Sequence, residues 1–277
     1  MPIVDRSSFS RIVVTALVVL GLSACAWMKE EIDETSGWSA SKFYIEAKDA
    51  LEGGNYLTAI GYFEKLQARY PFGRYAQQAQ LELIYAYYKD DEPDAAIAAA
   101  DRFIKMHPRH PFVDYAYYMK GLINFERGNT GALARILPSD QTQTDTDTSQ
   151  QSLNDFAELV RKFPDSRYAD DARQRILYLH NNLAAYEVHV AQYYLLRGAY
   201  VASANRAKYV LETYARAPAV EDAVVVLVKA YHGMGLNDLA RDSLRVLTLN
   251  YPNSPEAPDL TALVNGEASK SARFSLF

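Results

Sequence analysis

Five histidines and a single cysteine are the residues of this 277-residue chain best suited to act as nucleophile, proton shuttle or metal ligand. Two metal ligands on one helix must stand three or four residues apart to share a face. His180 and His189 are nine apart and fail that test. His107 and His110 sit beside Pro108 and Pro111 in a turn, where nearness to helix ends accounts for them. Asp145-Thr146-Asp147 matches the opening of a calcium loop. It lacks the glycine at the sixth position and the glutamate at the twelfth, so a solvated linker is expected there. No glycine-rich phosphate loop, GxSxG elbow or HExxH pair occurs. The pattern points away from an enzyme, a metal protein or a cofactor-dependent protein.

Cys25 has a different setting. It closes the stretch TALVVLGLSAC, with Arg6 and Arg11 upstream. Crossing a bilayer takes roughly 20 apolar residues, and Ile12 to Leu22 is too short. A basic start, a short apolar run and small residues before a cut make a secretory signal peptide, expected over residues 1–24. One cysteine cannot form a disulfide within its own chain. Leu22-Ser23-Ala24-Cys25 resembles the bacterial lipobox. That resemblance implies cleavage before Cys25, a diacylglyceryl group on its thiol and an acylated new amine. More than one acyl chain gives stable anchoring, with this covalent lipid the only non-protein group expected. Ala26, rather than Asp, implies by the same resemblance export to the outer membrane. Residues 25–41, polar and acidic beyond Met28, read as a lipidated tether.

The bulk of the chain excludes other classes. Loss of Asp5, Arg6 and Arg11 with the leader takes the net charge from -5 to -6, which argues against nucleic acid. Hydrophobic residues make up 49%, enough for a sizeable core, and tyrosine is abundant at 21 copies. A tyrosine can bury its ring and leave its hydroxyl wet, which suits a long exposed groove.

Internal repeats organise these residues. Tyr70-Pro71, His107-Pro108, Phe163-Pro164 and Tyr251-Pro252 recur, with Ala217-Pro218 between. After three of these prolines an aromatic follows at four (Tyr75, Phe112, Tyr168) and an alanine at eight (Ala79, Ala116, Ala172). Proline stops one helix, and the next opens on an aromatic that can staple it. Ala47, Ala50, Gly54, Ala59, Phe63, Leu66 and Pro71 recur at the same offsets as Val228, Tyr231, Gly235, Ala240, Leu244, Leu247 and Pro252. The pattern resembles the tetratricopeptide repeat, two antiparallel helices in 34 residues. Gly54, Gly128, Gly198 and Gly235 are expected to end first helices in a left-handed conformation. The expected fold is all-α: a curved solenoid of five tetratricopeptide-like helix pairs, each burying its core against its neighbours.

Two intervals break the period. Pro108 to Pro164 spans 56 residues, and the polar segment 129–152 is read as a loop inserted in unit three. Pro164 to Pro218 spans 54. There Ala169, Ala172, Ile176, Leu179, Leu183, Tyr186, Val190 and Tyr193 form one helical stripe. Unit four should therefore have an overlong first helix of about 30 residues. The expected organisation is N-terminal repeats over 42–128, the insertion, C-terminal repeats over 153–255 and a disordered tail over 256–277. Tyr85, Tyr87 and Tyr88 share one first helix, and Tyr115, Tyr117 and Tyr118 the next. So closely spaced, they cannot all face one way. Tyr85, Tyr88, Tyr117 and Tyr118 are taken as the groove candidates.

RYPFGRYAQQAQLELIYAYYK (69–89), HPRHPFVDYAYYMKGL (107–122) and YYLLRGAYVASANR (193–206) resemble the BamD (ComL) family, the lipoproteins of the outer-membrane β-barrel assembly machinery. The resemblance covers roughly residues 20–255. It implies a non-enzymatic scaffold on the periplasmic face of the outer membrane, working beside accessory assembly lipoproteins. The family's C-terminal repeats bind the periplasmic domains of the barrel insertase. Its N-terminal repeats receive the C-terminal aromatic signals of unfolded barrel proteins. Arg197, in the matching RGA stretch, inherits an insertase contact. Its other reading is a cation complementing a helix C-terminus. The insertion is Asp, Thr and Gln where the family pattern carries arginine. A second function stays open, a repeat lipoprotein scaffolding peptidoglycan-related or DNA-uptake (competence) machinery.

Overall fold

The computed structural model describes residues 34–129 and 146–266. The expected signal peptide, Cys25, the central part of the expected insertion and the end of the expected tail lie outside those residues. Within them the chain forms eleven helices and no strand. These are α1 (Ala40–Glu52), α2 (Tyr56–Arg69), α3 (Arg74–Lys89), α4 (Pro93–Met106), α5 (Val113–Asn129) and α6 (Thr146–Lys162). There follow α7 (Ala169–Leu196), α8 (Tyr200–Thr213), α9 (Val220–Gly233), α10 (Asn237–Asn250) and α11 (Ala257–Asn265).

The turns inside the pairs repeat one device. Gly54, Gly198 and Gly235 have φ of 76°, 72° and 72°, each two residues before a second helix. The next N–H reaches back five residues in every case: Asn55 to the Ala50 carbonyl, Ala199 to Tyr194 and Leu236 to Tyr231. This is the left-handed helix stop that glycine favours. In the second pair Asp91 does the same at φ 61°, with Glu92 N–H donating to the Tyr87 carbonyl. Asp tolerates this region better than most residues with a Cβ. Contrary to expectation, Gly128 does not end its helix, because α5 runs on to Asn129.

Consecutive helices pack along the whole described chain. First helices also touch across units, α1 on α3, α3 on α5, α7 on α9 and α9 on α11, while second helices have no comparable cross-unit packing. A stack that is close on one side and splayed on the other bends, so the first helices line its concave side. Residues at the repeat offsets fill the interior: Ala47, Ala59, Phe63 and Leu66 in the first pair, Val228, Ala240 and Leu247 in the last, all fully buried.

Helix α7 has 28 residues, about 42 Å at 1.5 Å per residue. Its buried face follows the expected stripe through Ala169, Ala172, Leu179 and Leu183, then shifts to Ala184, Val188 and Ala191. Tyr193, at the end of the expected stripe, is exposed. A straight helix drifts about 20° per heptad from a strict seven-residue repeat, and the C-terminal half of α7 is buried chiefly with residues of α8 and α9.

Three expected boundaries are corrected. The loop read as 129–152 ends early, because Thr146 to Ser152 opens α6, with Ser149 and Ser152 buried against α5. Ser152 Oγ donates to the Gly121 carbonyl at 2.8 Å. A Cβ on Gly121 would stand 2.6 Å from the Phe156 ring, so glycine sets how closely these helices approach. Asp147 lies in the first turn of α6, not in a linker. The tether read as 25–41 is docked at its end: Thr35 is buried and its carbonyl accepts from Arg69, while Trp38 packs on Phe43 and Tyr62. The tail read as disordered from 256 begins with α11, whose Leu260 is buried with Leu247 and Val228.

Candidate binding faces

The first helices bring a row of tyrosines and carboxylates to the concave side. Tyr44 of α1 donates to Glu82 of α3 at 3.3 Å. Tyr88 of α3 donates to Glu126 of α5 at 2.7 Å. Tyr118 of α5 donates to Asp171 of α7 at 2.8 Å. The same rung thus crosses three successive gaps between units. Each satisfies a half-buried hydroxyl where only a polar partner would do. Burial first, then the facing carboxylate, pushes the Tyr44 hydroxyl up to about 12. Burial and Asp171 do the same to Tyr118, also to about 12. Tyr88 is raised for the same reasons, with Glu126 as its partner.

Cations complete two rungs. Lys48 reaches Glu82 at 3.2 Å. Arg175 holds Asp171 at 2.7 Å and lies over the Phe125 ring at 4.7 Å. Burial acts to raise the Asp171 carboxyl, but hydrogen bonds from Arg175 and Tyr118 outweigh it and hold it below the usual carboxylate range. Rings fill the space between: Tyr118 stacks on Tyr168 at 4.7 Å, and Phe125 meets Tyr178 at 5.6 Å. A cavity of about 210 Å³, bounded by Tyr88, Pro93, Ile123, Glu126 and Arg127, opens beside the second rung.

Of the four groove candidates, three belong to this face. Tyr85 is exposed with its ring 6.2 Å from that of Tyr88, and Tyr88 and Tyr118 are half-buried. Tyr117 does not belong there. It is 7% exposed, packs on Phe163 at 5.5 Å and accepts from Lys162 at 2.7 Å. One residue along a helix turns the side chain by about 100°, so Tyr117 faces the end of α6 at Lys162 and Phe163, while Tyr118 reaches Asp171 of α7 with its ring 6.0 Å from that of Phe156. Sequence reasoning missed Tyr44, Glu82, Glu126, Asp171 and Arg175. The signal was available, since Tyr44 to Glu82 and Tyr88 to Glu126 are both 38 residues apart.

Arg197 lies elsewhere, capping α7 at the turn into α8. Its guanidinium covers the Tyr193 ring at 4.7 Å. Leu196 is 83% exposed and Val201 63%. The turn borders a shallow depression of about 510 Å³ that also takes in Tyr200, Asn205 and Met234. Cys25 is outside the described residues. Among those residues no group of His, Cys, Asp or Glu could hold a metal ion, and no helix is long and apolar enough to cross a membrane.

Comparison with known proteins agrees with this architecture. Residues 37–247 match the YfiO family, described as an outer membrane lipoprotein. The chain is 42% identical over 248 residues to the outer membrane protein assembly factor BamD of Neisseria meningitidis serogroup A, covering 88% of this chain and 92% of that one. It is 39% identical over 219 residues to BamD of Xylella fastidiosa strain Temecula1, covering 79% and 74%. It is 36% identical over 210 residues to BamD of Vibrio cholerae, covering 76% and 87%. With the paired helices, the overlong α7 and these matches in hand, the chain belongs to the YfiO family of outer membrane lipoproteins, among the BamD assembly factors.

Proposed function

We propose that this protein, a non-enzymatic assembly factor of the outer membrane, serves its complex as a two-faced scaffold. The concave face of α1, α3, α5 and α7 takes the aromatic C-terminal segment of an unfolded barrel protein. The turn at Arg197 docks the periplasmic part of the barrel insertase, and the lipid on Cys25 holds the whole at the periplasmic face. The observation that carries this reading is the separation of two unlike surfaces. One is a tyrosine and carboxylate row offering ring faces and hydrogen-bond acceptors. The other is an exposed apolar turn, with Leu196 and Val201 flanking a cation. Extended peptides suit the first kind of face, since solenoids bind along their concave side. A preformed domain suits the second, where an arginine amid apolar residues resembles a hot spot.

The test separates the faces. Photo-crosslinking of a barrel-protein peptide ending in phenylalanine should fall with Tyr85→Ala and Tyr118→Ala, while recovery of insertase from detergent-solubilised envelopes is retained. Arg197→Ala with Leu196→Ser should do the reverse. If either pair lowers both readouts together, or neither, the two-faced scaffold is wrong.

A further inference from the structure

The edge at which second helices hand over to first helices has an uneven charge. Short turns between packed neighbours make adjacent helices antiparallel, so these turns share one edge with the N-terminus of α1. Tyr70, at the end of α2, donates to the Trp38 carbonyl just before α1 at 2.8 Å. His107, at the end of α4, lies 2.9 Å from Gln80 of α3. The chain carries a net charge of -5, yet neither Lys65 to Leu81 nor Arg102 to Val113 contains an Asp or Glu. The turn after α2 offers Phe72, 91% exposed, beside Arg74. The turn after α4 offers Phe112 at 57% and Met106 at 49%, beside Lys105 and Arg109. Lys42, at the start of α1, sits over the Trp38 ring at 4.6 Å. Further along the edge the sign reverses, with Glu221, Asp222 and Asp259 in the opening turns of α9 and α11.

We infer that the first part of this edge is a membrane-docking surface. Phe72 and Phe112 enter the headgroup layer of an anionic phospholipid bilayer, and Lys42, Arg74, Lys105 and Arg109 face its phosphates. Aromatic rings beside cations are suited to that layer. Each cation near an anionic surface strengthens binding about fivefold. The edge is also where the chain enters the fold. Cys25 to Glu34 is nine residues, about 30 Å at full extension. The inference rests on the lipid-anchor reading only for the nearness of the bilayer. A folded acidic partner would use the cations and leave two separate phenyl rings in water.

The experiment removes the anchor. The mature chain from residue 25 with Cys25→Ser is sedimented with vesicles of phosphatidylcholine alone, and with vesicles in which about one lipid in four is phosphatidylglycerol. Binding to the anionic vesicles only, reversed by salt, is expected. Arg74→Glu with Arg109→Glu should weaken it at least 25-fold, on the order of fivefold per cation lost. Phe72→Ser with Phe112→Ser should weaken it about tenfold or more by loss of ring burial. Leu57→Ser, 72% exposed at the opposite edge, should leave it unchanged. All of these sites are exposed, and unchanged helical circular dichroism checks that each variant folds. Failure to bind anionic vesicles overturns the inference, as does binding that the charge reversals leave intact. Binding of polyglutamate without binding of vesicles would assign the edge to an acidic protein. Because the thiol is absent throughout, none of these outcomes depends on whether Cys25 is acylated.

Discussion

Gly121→Ala should destabilise the protein although it adds one methyl group to a helix. In an exposed helix interior the exchange stabilises by about 1 kcal/mol, through lower backbone entropy in the unfolded chain and better propensity. At Gly121 the new Cβ would lie 2.6 to 2.9 Å from three ring carbons of Phe156. Phe156 is fully buried and cannot swing aside, and α5 cannot retreat without stretching the Ser152 bond to the Gly121 carbonyl. Overpacking of this kind costs about 1–3 kcal/mol or more. The expected net loss is about 1 kcal/mol or more, a fall in Tm of at least roughly 2–4 °C for a domain of this size. Gly61 is the control. It lies inside α2, where an added Cβ would have nothing within 4 Å, so Gly61→Ala should raise Tm by a few degrees. The decisive variant is the double one. Phe156→Leu removes the flat ring, so Gly121→Ala should cost at least 1 kcal/mol less in that background. The assay is urea and thermal unfolding of the parent and the four variants, followed by circular dichroism. Strict additivity, or a Gly121→Ala protein as stable as the parent, would refute the close-approach argument.

Asp91→Gly should gain up to about 1 kcal/mol in urea unfolding, because the left-handed turn no longer strains a Cβ; a loss would mean the Asp side chain supports the turn. Lys120→Met should cost about 3 kcal/mol at neutral pH, since Asp155 is buried and Lys120 lies 3.5 Å from it. Burial already raises the Asp155 carboxyl above its ordinary value, against the pull of Lys120, Asn124 and Gln151. The folded state therefore favours the protonated acid, and the variant should recover stability as pH falls toward 4; equal loss at pH 7 and pH 4.5 would refute this. The tyrosine rungs should fail in alkali. Tyr44 and Tyr118 are raised to about 12 in the folded protein, so their contribution is whole below about pH 10 and is lost as pH rises from there through 12. Phenolate absorbance at about 295 nm, recorded with unfolding midpoints over that range, should show a smaller stability loss for Tyr44→Phe with Tyr118→Phe.

Much of this architecture can be read in the sequence because proline, glycine and small residues punctuate it. Ala47, Ala59, Phe63 and Leu66 in the first unit and Val228, Ala240, Leu244 and Leu247 in the last fall on buried positions, and the spacing in α7 announces an overlong helix. The start of α6 is hidden because Ser149, Ser152 and Asp155 occupy its buried face, where an apolar pattern would have revealed it. Such a face works because the Ser152 hydroxyl finds the Gly121 carbonyl and Asp155 finds Asn124 at 2.8 Å, pairings that exist only after folding. Asp91 escapes notice because a left-handed position is sought as glycine. Tyr117 and Tyr118 differ by one residue, and no local signal says which of two adjacent hydroxyls reaches Asp171 of α7 and which meets Lys162.

Helix α7 belongs to two cores at once. Ala172 and Leu179 are buried with Phe156 and the second helix pair, whereas Leu183, Ala184, Val188 and Ala191 are buried with residues of α8 and α9. An array of repeats ordinarily yields at the seam between neighbours, since each unit answers only to the next. Here that seam is crossed by one unbroken rod. Pivoting the two halves against each other would require bending a hydrogen-bonded helix of 28 residues, which α7 resists. On the proposed two-faced reading, α7 would serve as an angle bracket, setting the direction in which a segment held on one arm is presented to a partner on the other.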